Sequence, residues 1–238
     1  MAKILICPDV HGRKFWHKAK EMIDEVDKVV FLGDYLDPYS YEGITFEEAL
    51  KEFKQILDFK AKHSDKVVLL VGNHDMHYIL TNFMDCSRRN YKMLDELHTL
   101  YVDHLDKFEL VYQYDEYLFS HAGVYKNWFE RHSFEMDELF DFKAFLIKRS
   151  DTLEDFSFFR GGSNSTGSCV WADIRESLRN EPLEGYIHIV GHTQLNSSPY
   201  VADGIICDHC NRGSGHKCAC DVGIGALGLE RDIVLAIH

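Results

Sequence analysis

The amino-acid sequence predicts an α/β protein in which short buried strands alternate with helices and a sheet is covered on both faces. Three observations carry that expectation. Brief uninterrupted apolar runs recur, such as Ile4-Leu5-Ile6 and Val67 to Val71, where a strand with one wet face would alternate apolar and polar residues. Between two runs, Phe46, Leu50, Phe53, Leu57 and Ala61 fall at spacings of three and four, one face of a helix. The runs also stop at segments that place glycine beside Asp, Asn or His, as in Gly33-Asp34 and Gly72-Asn73.

In chain order, Lys3 to Cys7 reads as the first buried strand and Arg13 to Glu25 as the helix after it. Lys28 to Leu32 is the second strand. The helix from Thr45 to Lys62 opens on Thr45 and Glu48, a T-x-x-E pattern in which each side chain satisfies the other residue's backbone N–H. Lys66 to Val71 is the third strand, and Met76 to Asp106 is mostly helical. Glu109 to Tyr112 and Tyr117 to Ser120 are strands, followed by an aromatic-rich helical insert at about 125–159. The stretch RGGSNSTGS, residues 160–168, is a loop by its glycine and serine content. Tyr186 to Val190 is a strand, and Ala226 to Ile237 is a hairpin turning at Glu230 to Asp232. Without repeats or a Pro-rich linker, residues 1–238 read as a single domain carrying that insert and a Cys-rich insertion at about 205–220.

Lys and Arg total 26 against 39 Asp and Glu, a net charge of −13. Such a surface repels the phosphate backbone, so no extended nucleic-acid binding is expected. A small phosphorylated substrate is still compatible, because bound divalent cations reverse the local field. The apolar runs are too short to span a bilayer, and the N-terminus lacks the length and cleavage pattern of a signal peptide. A cytoplasmic protein without a membrane partner is therefore expected. Of seven cysteines, Cys207, Cys210, Cys218 and Cys220 cluster as C-x-x-C and C-x-C. They read as a site for an additional structural zinc, or as paired strands with inward cysteines acting as small apolar side chains.

The chemistry sits where strands end. The first stops in Asp9-Val10-His11, the second in Gly33-Asp34-Tyr35-Leu36-Asp37, and the third in Gly72-Asn73-His74-Asp75. Two later strands stop in His121-Ala122-Gly123 and Gly191-His192-Thr193. Each alone has an ordinary reading: Asp9 as a helix cap, Gly33-Asp34 and Gly72-Asn73 as turns, His11 or His121 as a hydrogen-bonded histidine. In an open α/β sheet, however, ligands gather outside the carboxyl ends of the strands. Together these residues bring carboxylates, imidazoles and an amide oxygen to one crevice, a set that no packing rule requires. That mixture suits Mn, Fe or Zn, whereas all-oxygen sites favour Mg or Ca. Two metals roughly 3.5–4 Å apart clamp the attacking and leaving oxygens of an in-line displacement at phosphorus.

With DVH from Asp9, GDYLD from Gly33, GNHD from Gly72, SHAG from Ser120 and GHT from Gly191, the chain resembles the calcineurin-like metallophosphoesterases over most of its length. The resemblance implies a four-layer α/β/β/α sandwich with two mixed β-sheets. It implies that Asp9 and His11 hold one metal, that Asp34 bridges two, and that Asn73, His121 and His192 hold the second. By the same pattern His74 protonates the leaving oxygen, oriented by Asp37, and a metal-bridging hydroxide attacks in line. The implied activity is dinuclear-metal-dependent hydrolysis of a phosphomonoester or phosphoanhydride, on a phosphorylated small molecule or a phosphoprotein. A phosphodiesterase or nuclease using the same site, and a catalytically inactive metal-binding scaffold, are the alternatives.

Two departures from the pattern bear on substrate. Diesterases and nucleases of the family usually read GHxH, whereas here Gln194 stands at the second histidine. This favours the branch resembling phosphoprotein phosphatases and the bacterial diadenosine tetraphosphate hydrolases. That branch usually reads GDxxDRG, whereas this chain reads Asp37-Pro38-Tyr39 and lacks the phosphate-clamping arginine there. Arg13, just past DVHG, and Arg160, at the head of the RGG loop, are the candidate substitutes. Arg175 is expected to pair with an acid.

Overall fold

The computed structural model describes residues 2–194, 200–202, 205–207 and 233–236. The first sheet takes β1 (Lys3–Cys7), β2 (Lys28–Phe31), β3 (Val67–Leu70) and β4 (Phe108–Glu109) in sequence order, all parallel. The second takes β5 (Val111–Tyr114), β6 (Tyr117–Ser120), β7 (Ile187–Val190), β8 (Tyr200–Ala202) and β9 (Ile205–Cys207), in the spatial order β5-β6-β7-β9-β8. Its three inner strands are parallel and its two outer ones antiparallel, so this sheet is mixed. A last strand, β10 (Ile233–Ala236), pairs in parallel with β1. The rest of the 226–237 hairpin expectation lies outside the described residues.

Strand alternation builds the layers. Leu5, Cys7, Val29, Phe31, Val67 and Leu69 join the core that holds α1 (His17–Met22) and α2 (Phe46–Lys62). Their neighbours Ile4, Ile6, Val30, Leu32, Val68 and Leu70 pack instead with Tyr117, Phe119 and Ile189 of the second sheet. Leu118, on the opposite face of that sheet, belongs with Trp128, Leu139 and Phe145 of α5 (Lys126–Arg131), α6 (Met136–Phe140) and α7 (Phe142–Arg149). The fold is therefore helix, sheet, sheet, helix. Because β1 to β3 are buried on both faces past the opening lysines of β1 and β2, the rest of their sequences is apolar rather than alternating.

α2 shows how its sequence determines its ends. Glu48 N–H donates to Thr45 Oγ1 at 3.2 Å, and Thr45 N–H donates to Glu48 Oε2 at 2.9 Å. Leu50, Phe53, Ile56 and Leu57 are buried, and each contributes about 1.5–3 kcal/mol of burial. Phe53 stacks on Tyr35 with ring centroids 5.0 Å apart. Thr45→Ala removes the cap and should destabilise by about 1 kcal/mol. In thermal melts that corresponds to a Tm lower by about 2–4 °C, and an unchanged Tm would show that the cap contributes nothing.

Three elements differ from the sequence reading. The first helix covers only His17–Met22, because residues 13–17 make turns, with Arg13 N–H on Val10 O and His17 N–H on Lys14 O. The strand expected at Glu109 to Tyr112 is two strands: the chain leaves the first sheet after Glu109 and enters the second at Val111. Apolar pattern alone cannot reveal a change of sheet. The 76–106 region contains α3 (Asn73–Ile79) and α4 (Leu94–Asp103), separated by an irregular segment from residue 80 to 90. Buried Arg89 satisfies the His77 and Thr81 carbonyls at the end of α3 and holds that segment in place.

Candidate metal centre

β1, β2 and β3 are adjacent and parallel, so their carboxyl ends share one edge, and β6 and β7 behave likewise. Two hydrogen bonds join the edges across the sandwich. His121 Nδ1 donates to the Leu32 carbonyl at 2.7 Å, and the His192 backbone N–H donates to Asp9 Oδ2 at 2.9 Å. Asp9, His11, Asp34, Asn73, His74 and His192 line one cavity of about 600 Å³. Asp37 and His121 are fully buried beside it.

Turning the chain into this cavity takes unusual backbone. Among the described non-glycine residues with positive φ are Asp9 (27°), His11 (44°), Asp34 (56°), Asp37 (59°), Arg88 (69°) and His192 (58°). Such conformations cost about 1–3 kcal/mol each and persist where the surroundings force them, as at functional sites. Two glycines admit the side chains. A Cβ on Gly72 would collide with the Asp34 carboxylate and the His121 ring, and one on Gly191 with the Asp9 carboxylate.

The proton positions show what the cavity requires. A carbonyl only accepts, so His11 Nδ1, 2.7 Å from the Leu36 carbonyl, carries the proton and Nε2 presents a lone pair. Burial lowers the His11 pKa well below the usual value, which keeps the ring neutral. His121 is fixed in the same way by Leu32. Asn73 Nδ2 donates to Cys86 Sγ at 3.3 Å, which leaves Oδ1 for the site. His11 Nε2 then stands 3.5 Å from Asp34 Oδ2. His121 Nε2 stands 3.6 Å from that oxygen and 3.0 Å from Asn73 Oδ1. These are acceptors facing acceptors, and a cation is the group that reconciles them. Asp9, His11 and Asp34 form one cluster and Asp34, His121 and His192 another, each with ligand atoms within 4.8 Å of one another. Burial raises the pKa of the shared Asp34 carboxyl well above the usual range, with Asp9 and Asp75 acting in the same direction.

A third cluster, Asp37, His74 and His77, has the same spacing but the opposite character. His77 Nδ1 accepts the Cys86 backbone N–H at 3.2 Å, so its proton is on Nε2, 2.9 Å from Asp37 Oδ2. His74 Nδ1 lies 2.8 Å from the same oxygen, and the Tyr78 hydroxyl donates to Oδ1 at 2.6 Å. Donors face acceptors here, with His77 Nε2 within ion-pair distance of Asp37. Burial works to raise the Asp37 pKa, but the hydrogen bonds from His74 and His77 outweigh it and hold the carboxyl below its usual value. His74 is thereby fixed with Nε2 as its remaining ring nitrogen. Asp75, fully buried, accepts the N–H groups of Asp34 (2.7 Å), Tyr35 (3.1 Å) and Gly72 (2.7 Å), which ties the loop after β2 to the loop after β3.

The arginines separate. Arg13 does not line the cavity: its guanidinium forks onto Glu42 at 2.9–3.0 Å and its Nη1 donates to the Asp9 carbonyl. Arg160 does line it, with Nη2 donating to Thr193 Oγ1 and Nε 3.0 Å from Asp173 Oδ2. Arg175 grips both oxygens of the same buried Asp173, at 2.7 and 2.8 Å. Sequence reasoning passed over His77, Tyr78, Tyr39 and Arg88. His77 and Tyr78 were findable, since they follow His74 by three and four residues on one helix face. Of the cysteine cluster, Cys207 ends β9, while Cys210, Cys218 and Cys220 lie outside the described residues.

Two packed sheets whose joined edges carry two clusters of potential metal ligands sharing one carboxylate make the frame of a metal-dependent hydrolase. The sequence model of the calcineurin-like phosphoesterase family matches residues 2–221, and the chain belongs to that family. Its fold is similar to that of a cold-active protein-tyrosine phosphatase from a psychrophilic Shewanella species. The two are 17% identical, with 87% of this chain and 72% of that one covered and a TM-score of 0.53. It is also similar to a protein serine/threonine phosphatase from Saccharomyces cerevisiae, at 13% identity, 88% and 70% coverage and a TM-score of 0.54. At such identities the likeness is one of fold. Among the described residues no helix is long and apolar enough to cross a membrane.

Proposed function

We propose that this chain is a phosphatase that hydrolyses a phosphomonoester or phosphoanhydride with two divalent cations of the Mn, Fe or Zn type. The observation that carries the reading is the pair of clusters joined at Asp34, in which the His11 and His121 lone pairs face the Asp34 carboxyl, beside an imidazole held by Asp37. Asp9, His11 and Asp34 would hold one ion, and Asp34, Asn73, His121 and His192 the other. Ions so held would supply charge neutralisation at the phosphoryl group and would lower the pKa of the attacking water.

The chain's own groups do the rest. His74 is the general acid: Asp37 anchors Nδ1, so Nε2 is the atom that hands a proton to the leaving oxygen. His77 and Tyr78 hold Asp37 from the other sides, so the imidazole keeps one orientation. Arg160 lines the substrate side of the cavity and offers its guanidinium to phosphoryl oxygens. Gln194, which stands where the diesterases carry a second histidine, favours the phosphatase reading; its Nε2 donates to the Tyr39 hydroxyl at 2.6 Å. The two structural neighbours are named as phosphatases of proteins, which keeps phosphoproteins beside phosphorylated small molecules as substrates. The same reading treats residues 1–238 as one domain with the helices near 125–159 as its insert.

With Mn supplied, the protein should release p-nitrophenol from p-nitrophenyl phosphate and act much more slowly on bis-p-nitrophenyl phosphate. Chelation should stop the reaction, and added Mn should restore it. Comparable rates on both esters would favour the diesterase. An absence of turnover across divalent metals and phosphate esters would remove the proposal.

A further inference from the structure

Both departures from the family pattern meet at one side chain. Pro38 and Tyr39 stand where GDxxDRG places arginine and glycine, and Gln194 stands where GHxH places its second histidine. The Tyr39 hydroxyl takes the Gln194 amide N–H, and its ring meets His11 edge-on with centroids 5.0 Å apart. On that ring sits Arg88, its guanidinium carbon 3.8 Å from the centroid. Arg88 comes from the irregular segment between α3 and α4 and is held at φ 69°. Its Nε donates at 2.8 Å to the carbonyl of Asp37, which belongs to the peptide that would carry the missing arginine. Nη1 donates to Ser87 Oγ at 3.0 Å, and Nη2 lies 3.4 Å from His74 Nε2. A guanidinium has five N–H groups, so each terminal nitrogen keeps one more to offer.

The charge around Arg88 is unusual for this protein. Arg13, Arg160 and Arg175 each lie against a carboxylate. In a chain of net charge −13, no carboxylate among the described residues comes within the 4.0 Å ion-pair distance of Arg88. A half-buried cation that lines the cavity, stacked on an aromatic ring and left without an anion, is pre-organised for an anionic ligand.

We infer that Arg88, supported by Tyr39 and Gln194, clamps the phosphate beside Arg160 and replaces from a different loop the arginine absent after Asp37. The inference rests on the phosphatase reading above. The ligand is a phosphomonoester. It carries three terminal oxygens and two negative charges, against two oxygens and one charge for a diester, and the additional oxygen is what a planar fork can take. Tyr39 is a positioning residue, because it acts through Arg88.

The test compares Mn-loaded wild type with Arg88→Ala, Arg88→Lys, Tyr39→Leu and Tyr39→Phe. In Arg88→Ala, KM for p-nitrophenyl phosphate and Ki for inorganic phosphate should each rise about tenfold or more, the loss expected for a charged hydrogen bond. Arg88→Lys should be intermediate, because it keeps the charge and loses the fork. Tyr39→Leu should raise KM, while Tyr39→Phe, which keeps the ring, should raise it less. Mn content should stay at the wild-type value, and the rate on bis-p-nitrophenyl phosphate should fall far less than the monoester rate. Unchanged KM and Ki in Arg88→Ala, equal losses on both esters, or loss of Mn would each overturn the inference. If wild type turns over neither ester with any metal, the phosphatase reading fails by itself. Calorimetric titration of inorganic phosphate then decides the clamp: weaker binding by Arg88→Ala supports it, and equal binding or none by wild type overturns it.

Discussion

Asp34→Asn is expected to abolish turnover and, in the absence of metal, to make the protein more stable. Asp34 is 2% exposed, and its carboxylate is the one group common to both acceptor clusters. Asparagine keeps the Oδ1 that accepts the His74 backbone N–H at 2.9 Å. In place of Oδ2 it presents N–H bonds toward His11 Nε2 and His121 Nε2, 3.5 and 3.6 Å from that position. The metal-free variant therefore replaces a buried carboxyl, whose charge burial and the neighbouring Asp9 and Asp75 disfavour, with a neutral donor that two lone pairs can use. Removing a charge that burial disfavours stabilises, and each kcal/mol gained raises Tm by about 2–4 °C. With metal supplied the order should invert, because the two proposed ion sites lose the carboxylate common to them. Bound Mn should fall toward zero and turnover by about a thousandfold or more, since the ions contribute several kcal/mol to the barrier. Melting curves in chelator and metal analysis after Mn loading check the two halves separately. A variant that keeps two Mn per chain, or that melts below wild type in chelator, contradicts this account.

The second large effect is His74→Asn. The amide can donate to Asp37 Oδ2 as His74 Nδ1 does at 2.8 Å, so the Asp37 anchor survives, but it cannot transfer a proton. Turnover should fall by about 10²–10⁴, the usual weight of general acid catalysis, with Mn content unchanged. The loss should depend on the leaving group. p-Nitrophenolate departs with little help, so its ester should lose less than phenyl phosphate or an alkyl phosphate. An equal loss across the three would show that His74 acts by position or charge rather than as a proton donor.

Much of the site was legible because its members are locally encoded. Each metal-ligating candidate sits within a few residues of a strand's carboxyl end, and the glycines beside them announce the turns. The helix partners of His74 were legible too, by the three- and four-residue spacing of His77 and Tyr78. Arg88 was not. It lies in a segment with no apolar period, and its contact with Asp37 spans 51 residues of sequence. Arg13 shows the reverse error. Its position four residues after Asp9 suggested the site, yet Glu42, 29 residues away, takes its guanidinium.

The change of sheet at Leu110 follows the same logic. Phe108 to Tyr112 carries one continuous extended pattern, and only the neighbours offered by β3 and β6 decide which residues pair where. The sequence by itself determined the α/β class, the strands that end in Asp, Asn and His, the capped start of α2 and the set of residues able to hold metal. These depend on backbone preference and on side-chain period, which act over a few residues. Only the tertiary structure decided which acceptors face one another across the sheets, which donors hold Asp37, and that Arg88 lines the cavity with no carboxylate of the described residues within ion-pair distance. Those depend on distances between groups remote in the chain, and a long, charged side chain goes wherever the folded surface offers it a partner.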